Sequence, residues 1–161
     1  MASLAELMSV YYRYHTKTIT LVTHFIGVPC IIFALQILFC QVHVFTLSLA
    51  WIAACALLVY YLFLDISLAL ATAAFLLPMT YLAGLIPHGR FALGVFLLTF
   101  VGGWAAQLVG HYYEGKRPAL TDNFFQVFVA PIFLVAELFF ILGYRQNLRQ
   151  QVAELAKRRD E

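Results

Sequence analysis

The chain has 161 residues, of which 63% are hydrophobic and only 11% are charged, and its formal net charge is +2. Soluble domains average about a quarter charged residues, so this composition excludes a soluble globular protein and gives no reason to expect a nucleic-acid partner. A membrane-spanning helix needs about 20 apolar residues, and the length therefore accommodates four or five such segments in a single membrane-embedded domain, residues 1–161.

Five apolar stretches follow one another along the chain, and polar or turn-forming residues separate them. They cover residues 19–39, 44–64, 66–86, 91–112 and 124–143. The pattern predicts an all-α fold, a polytopic membrane helical bundle with four spanning helices plus a fifth segment that is re-entrant or spanning. An N-terminal segment, 1–18, precedes them at the cytoplasmic face or interface, and a polar basic tail, 144–161, follows. The fourth stretch contains small residues that allow close helix approach, namely Gly94, Gly102 and Gly103.

Positive charges orient this bundle. Of the ten Lys and Arg residues, all except Arg90 lie in the N-terminal segment, in the loop after the fourth stretch, or in the tail. Positive loops favour the cytoplasm, and four crossings return the chain to the side on which it began. A complete fifth crossing would export the most basic segment, whereas a re-entrant one would keep Pro131 and Glu137 against protein. We expect a multi-pass integral membrane protein, in a bacterial inner membrane rather than the endoplasmic reticulum because no retention signal is recognisable.

The same topology sorts the five histidines into two groups. His15, His24 and His111 fall at the cytoplasmic ends of their segments, and the other two fall at the opposite ends. Ionisable residues at membrane depth are costly and mark functional sites by default. His15 and His24 would lie on opposite faces of one continuous helix, so they can converge only if the chain breaks between them, near the β-branched residues around Thr18. His111 shares a helix face with Glu114.

Two interpretations of these polar residues remain open. Three histidines with a nearby carboxylate suit non-haem iron or zinc, but each histidine could instead form hydrogen bonds at the headgroup level. We expect His43 and His88 to be interfacial. Glu137 is either a ligand or ligand-supporting residue, or a buried acid with a backbone or tyrosine partner. Three basic residues could bind a carboxylate headgroup or simply face the lipid headgroups: Arg13, Lys116 and Arg117.

Three blocks of sequence carry a resemblance to a known family. The first is Tyr14-His15 followed by the string HFIGVP from His24 to Pro29, and the second is QLVGHYYEGKRPALTDN at residues 107–123. The third is Ala130-Pro131 followed by Glu137. In this order, from about Tyr11 to Gly143, the chain resembles the Mpo1-like family. It departs in carrying Thr20 where many members have Asn, and in a segment 111–118 that is one residue shorter than in a characterised member.

The resemblance implies an Fe(II)-dependent dioxygenase of fatty acid α-oxidation that acts within the lipid bilayer. With O2 it would cleave long-chain 2-hydroxy fatty acids to the acid one carbon shorter. It implies that the metal ligands are His15, His24 and His111. We further predict that Glu114 is catalytic. Three basic residues would bind the substrate carboxylate, namely Arg13, Lys116 and Arg117. Two acidic residues, Glu137 and Asp122, would support the metal ligands. The alternatives are a zinc-dependent membrane lipid hydrolase and a non-catalytic membrane protein, such as a transporter half or a haem-binding subunit.

Overall fold

The structure, a computed structural model, describes residues 3–116 and 125–158, which form seven helices and one short hairpin. The helices are α1 (Leu4–Tyr12), α2 (Thr18–Cys40), α3 (Leu49–Leu64), α4 (Ile66–Gly84), α5 (Arg90–Glu114), α6 (Gln126–Ile141) and α7 (Gln146–Arg158). The hairpin pairs β1 (His43–Val44) with β2 (Leu47–Ser48) in antiparallel register. The predicted all-α bundle is therefore confirmed.

Local sequence signals explain several helix boundaries. Ser3 and Glu6 form a capping box at the start of α1, in which Ser3 Oγ accepts from the Glu6 amide and Glu6 accepts from the Ser3 amide. Asp65 separates the apolar sequences of α3 and α4. Its carboxylate accepts a hydrogen bond from the Leu68 amide at 3.0 Å and so caps the start of α4. Helix α5 ends at Glu114, and Gly115 follows with a φ of 75°, the left-handed conformation common just after helix C-termini.

The four central helices, α2 to α5, alternate in direction between two ends of the bundle. At one end, the last turns of α2 and α4 meet the first turns of α3 and α5 in an apolar cluster of Ile37, Cys40, Ala50, Ala83 and Ala92. We call this the opposite end. His43 and His88 lie there with ring centroids 6.2 Å apart. At the other end, the histidine end, helices α1, α6 and α7 pack over the bundle in a second cluster that includes Met8, Tyr61, Leu68, Phe133 and Val152.

The outer surface and the helix lengths fit a membrane. Helices α2, α4 and α5 are long and apolar enough to cross one, and large side chains such as Phe63 and Leu98 are exposed on the outside of the bundle. Helix α3 has only 16 residues, which extend about 24 Å, but it connects the two ends of the bundle as the fourth central helix. These features describe a multi-pass membrane protein.

The second predicted segment begins later than the hydropathy pattern indicated. Residues 44–48 are in the hairpin and not in a helix, and α3 begins only at Leu49. Phe45 at the turn has a φ of 57° and is 98% exposed, a conformation that no helix contains. The apolar character of this turn extended the predicted stretch because hydropathy alone cannot separate an exposed apolar turn from a helix.

The fifth segment does not continue to the opposite end. Helices α6 and α7 are bent by 120° relative to each other, and both contribute to the apolar cluster at the histidine end. Helix α7 packs against α1, and Arg145 just before α7 forms an ion pair with Asp65. This packing favours the re-entrant alternative for the fifth segment over a complete crossing.

Candidate metal centre

Three histidines from different parts of the chain converge at the histidine end of the bundle. His15 lies in the link between α1 and α2, His24 in the second turn of α2, and His111 in the last turn of α5. All three are buried, and one potential ligand atom from each lies within 4.8 Å of the others. The predicted break between α1 and α2 is present at residues 13–17, and it allows His15 to fold back onto His24.

Backbone hydrogen bonds fix the proton positions of two of these imidazoles. His15 Nδ1 lies 2.6 Å from the Tyr11 carbonyl oxygen, and His24 Nδ1 lies 2.7 Å from the Thr20 carbonyl oxygen. A carbonyl oxygen can only accept, so each Nδ1 donates and each neutral ring has its lone pair at Nε2. Burial, followed by the repulsion that a protonated His24 would exert, lowers the pKa of His15 well below its usual range, which favours the neutral ring.

The arrangement has the properties of a metal site. The Nε2 atoms of His15 and His24 face each other at 2.8 Å, so two lone pairs meet unless a proton or cation lies between them. His111 Nδ1 is buried and has no hydrogen-bond partner among residues 3–116 and 125–158. Three neutral imidazole nitrogens are a donor set that suits Fe(II) or Zn²⁺. The residues present therefore fit a bound metal.

Small residues hold α2 and α5 close enough for their histidines to meet. A Cβ added at Gly27 would lie 2.7 Å from the Gly103 carbonyl oxygen, and one added at Gly103 would lie 2.9 Å from the Gly27 carbonyl oxygen. Nearer the histidines, a Cβ at Gly110 would lie 3.2 Å from the Thr20 Cα atom. The predicted role of small residues in close packing thus holds for Gly103. A Cβ at Gly94 or Gly102 would meet nothing within 4 Å.

Glu114 attaches the link that carries His15 to the end of α5. Its carboxylate accepts from the Thr16 amide at 3.1 Å, the Lys17 amide at 3.0 Å and the Thr20 hydroxyl at 2.5 Å, and also from the Thr16 hydroxyl. Thr20 is thus one of its donors. These contacts describe a positioning residue. The catalytic role that the sequence suggested for Glu114 stays a prediction.

An apolar cavity of about 300 Å³ opens beside the three histidines. Aliphatic and aromatic side chains of α2 and α5 form most of its wall: Val28, Ile31, Ile32, Leu35, Phe100 and Trp104. Tyr11 also lines it and stacks on His15 with ring centroids 4.1 Å apart. Two amides, Gln107 and Gln126, complete the polar part of the wall. The cavity can hold an apolar chain whose polar end lies at the histidines.

Three of the other predicted site residues, Arg13, Lys116 and Glu137, lie outside this cavity. Lys116 Nζ donates to the Arg13 carbonyl oxygen at 2.7 Å, and neither residue is part of the cavity wall. Glu137 is buried in α6, but it lies two helical turns beyond Ala130, the last α6 residue that lines the cavity. It is not part of the histidine cluster. Arg117 and Asp122 lie outside the described residues.

Sequence reasoning missed Gln107, Gln126, Gly27 and Gly110. Gln107 precedes His111 by one helical turn, so a search for polar residues at i−4 on the histidine face would have found it. Gln126 had no such signal, because it reaches the site from a separate helix that packs across the bundle. To predict the close contacts at Gly27 and Gly110, one would have had to know that α2 packs against α5.

Comparison with known proteins gives a family match. The model of one protein family, described as 2-hydroxy-palmitic acid dioxygenase Mpo1-like, matches residues 1–142. The match includes all three histidines and both amides of the cavity wall. No curated protein and no solved structure matches the chain.

Proposed function

Because the chain belongs to the Mpo1-like family, we propose that it is an Fe(II)-dependent dioxygenase of fatty acid α-oxidation. Its substrates are a long-chain 2-hydroxy fatty acid and O2. In the reaction O2 oxidises C2 to the carboxyl carbon of the acid one carbon shorter, the bond between C1 and C2 breaks, and C1 leaves as CO2 together with one molecule of water. His15, His24 and His111 hold the metal.

The observation that carries this proposal is the orientation of His15 and His24. Both donate Nδ1–H to backbone carbonyl oxygens and direct their Nε2 lone pairs at one point. Histidines that ligate metals almost always donate their second nitrogen in this way. When bound, Fe(II) would supply the open coordination positions at which a 2-hydroxy acid and O2 can both bind.

The chain's own residues would place and shield the substrate. The apolar wall of α2 and α5 would hold the acyl chain and exclude water, while the carboxylate end lies at the histidines. Tyr11, stacked on His15, would keep that ring in place. The exposed ammonium of Lys116, beside Arg13, would attract the carboxylate as it enters, together with Arg117.

The proposal is tested with protein purified in detergent without a polyhistidine tag, stripped of metal and reloaded with Fe(II) or Zn²⁺. With Fe(II) and 2-hydroxyhexadecanoic acid we expect O2 consumption and, by mass spectrometry, pentadecanoic acid. The matched control is His43→Ala, which removes a histidine at the opposite end and should retain activity. Hydrolysis of an ester or amide lipid with Zn²⁺, without O2 consumption with Fe(II), would instead support the hydrolase alternative.

A further inference from the structure

We infer that Gln126 binds the 2-hydroxyl group of the substrate and thereby selects 2-hydroxy acids over unmodified fatty acids. The inference rests on the proposed function and assigns a role to a residue outside the histidine cluster. Gln126 is the first residue of α6. Its side chain is 2% exposed and lines the same cavity as His15, His24 and His111.

The carbonyl oxygen of this side chain lacks a partner. Gln126 Oε1 is buried and accepts no hydrogen bond from any residue within 3–116 or 125–158. A buried acceptor without a donor is costly and rare in folded proteins. The cavity beside it supplies space for a ligand, so a ligand that donates a hydrogen bond would satisfy this oxygen.

The chemistry of the missing partner identifies the group that Gln126 recognises. An ionised carboxylate only accepts, and an acyl chain offers neither donor nor acceptor. The hydroxyl on C2 is the part of a 2-hydroxy acid that donates. An unmodified fatty acid in the same cavity would leave Oε1 without a donor, and a site built for a hydroxyl discriminates strongly against the analogue that lacks it.

The chain contains a matched control for this role. Gln36 is also a buried glutamine with an unpartnered Oε1, but its Nε2 donates to the Thr80 hydroxyl at 2.7 Å, and it is not part of the cavity wall. Replacing either glutamine by Leu removes a buried amide from the helical bundle. Only the replacement of Gln126 should affect binding of the 2-hydroxy acid.

The experiment measures equilibrium binding of 2-hydroxyhexadecanoic and hexadecanoic acid to Fe(II)-loaded protein without O2, so that no turnover occurs. Wild-type protein should prefer the hydroxylated acid. Gln126→Leu should weaken binding of that acid by about 5- to 100-fold, the range for one lost buried hydrogen bond, and should bind hexadecanoic acid as before. Gln126→Met, which keeps an unbranched chain, should behave in the same way, and Gln36→Leu should keep the preference.

Other results would overturn the assignment. An unchanged preference in Gln126→Leu and Gln126→Met, or equal weakening for both acids, would show that Gln126 does not recognise the hydroxyl. If wild-type protein still consumed O2 with 2-hydroxyhexadecanoic acid, the proposed function would stand without this role for Gln126. Wild-type protein that neither prefers the hydroxylated acid nor consumes O2 with it would overturn both proposals.

Discussion

The Nε2 atoms of His15 and His24 lie 2.8 Å apart, although His15 lies in the link between α1 and α2 and His24 lies within α2. Each ring is fixed by a hydrogen bond to the backbone carbonyl oxygen of the residue four positions earlier, which is Tyr11 for His15 and Thr20 for His24. Neither ring can turn its lone pair away without losing that bond. The pair therefore forms a preorganised site for a cation and not a simple packing contact.

The first prediction concerns metal content. Replacing any one of the three histidines by Ala removes a nitrogen donor from a buried cluster, so each of His15→Ala, His24→Ala and His111→Ala should bind much less iron than wild type. His43→Ala and His88→Ala should bind as much, because those residues lie at the opposite end of the bundle. Elemental analysis of tag-free protein measures the iron per chain.

A double variant makes this test decisive. His24→Ala combined with His111→Ala leaves a single imidazole in the cluster, which is too few donors for a tight site. Full iron content and full activity in this variant would mean that the histidines are structural and that the metal, if present, binds elsewhere.

The second prediction concerns the close contact between α2 and α5. In Gly27→Ala the new methyl group would meet the Gly103 carbonyl oxygen, which is backbone and cannot rotate aside. The helices must separate, and overpacking of this kind costs about 1–3 kcal/mol. We expect a lower thermal unfolding midpoint and weaker iron binding, because His24 is one turn from Gly27.

Gly94→Ala is the matched control for this change. It adds the same methyl group to α5 at a position with nothing within 4 Å, and Ala is the better helix former. Its unfolding midpoint and iron affinity should equal or exceed those of wild type. A Gly27→Ala protein indistinguishable from Gly94→Ala in both measurements would contradict the close contact.

The sequence predicted the features that depend on segment order and missed those that depend on packing between distant segments. Placing His15, His24 and His111 at one end required only the number of crossings and the break before Thr18. The role of Gln126 required the position of α6 across the bundle, which neither hydropathy nor charge encodes. The boundary near Val44 was wrong for a related reason, since an apolar turn at a membrane surface has the hydropathy of a helix.

The third prediction concerns the side on which the tail lies. The Arg145–Asp65 ion pair and the packing of α7 on α1 require that Gln150 and Lys116 face the same compartment. In a background with Cys30, Cys40 and Cys55 replaced by Ser, single cysteines at positions 116 and 150 should react with an impermeant thiol reagent from the cytoplasmic side. A cysteine at position 45, in the hairpin at the opposite end, should react only from the other side.

Opposite labelling of positions 116 and 150 would mean that α6 crosses the membrane completely. The variant with a cysteine at position 45 is the control for sealed vesicles. It should not react with reagent added on the cytoplasmic side, and it should react with reagent added on the other side. Phe45 is suited to this because it is 98% exposed and its replacement removes no packing contact.

The fourth prediction separates a positioning role from a catalytic role for Glu114. In Glu114→Gln an NH2 group, which can only donate, replaces one carboxylate oxygen. Either the two Thr16 donors or the Lys17 and Thr20 donors therefore lose their acceptor. The link that carries His15 should loosen. Because losing a group that orients a ligand typically costs 10–100-fold in metal affinity or activity, we expect iron half-saturation at a concentration about 10–100-fold higher.

Activity at saturating iron decides between the two roles. If Glu114 only holds the 13–17 link, enough Fe(II) should restore turnover of 2-hydroxyhexadecanoic acid to near the wild-type rate, since the metal itself draws His15 back into place. Glu154→Gln, at an exposed position of α7, should change neither affinity nor rate. Were Glu114→Gln to bind iron normally but turn over slowly at every iron concentration, the carboxylate would have to act in the reaction itself, as the sequence first suggested.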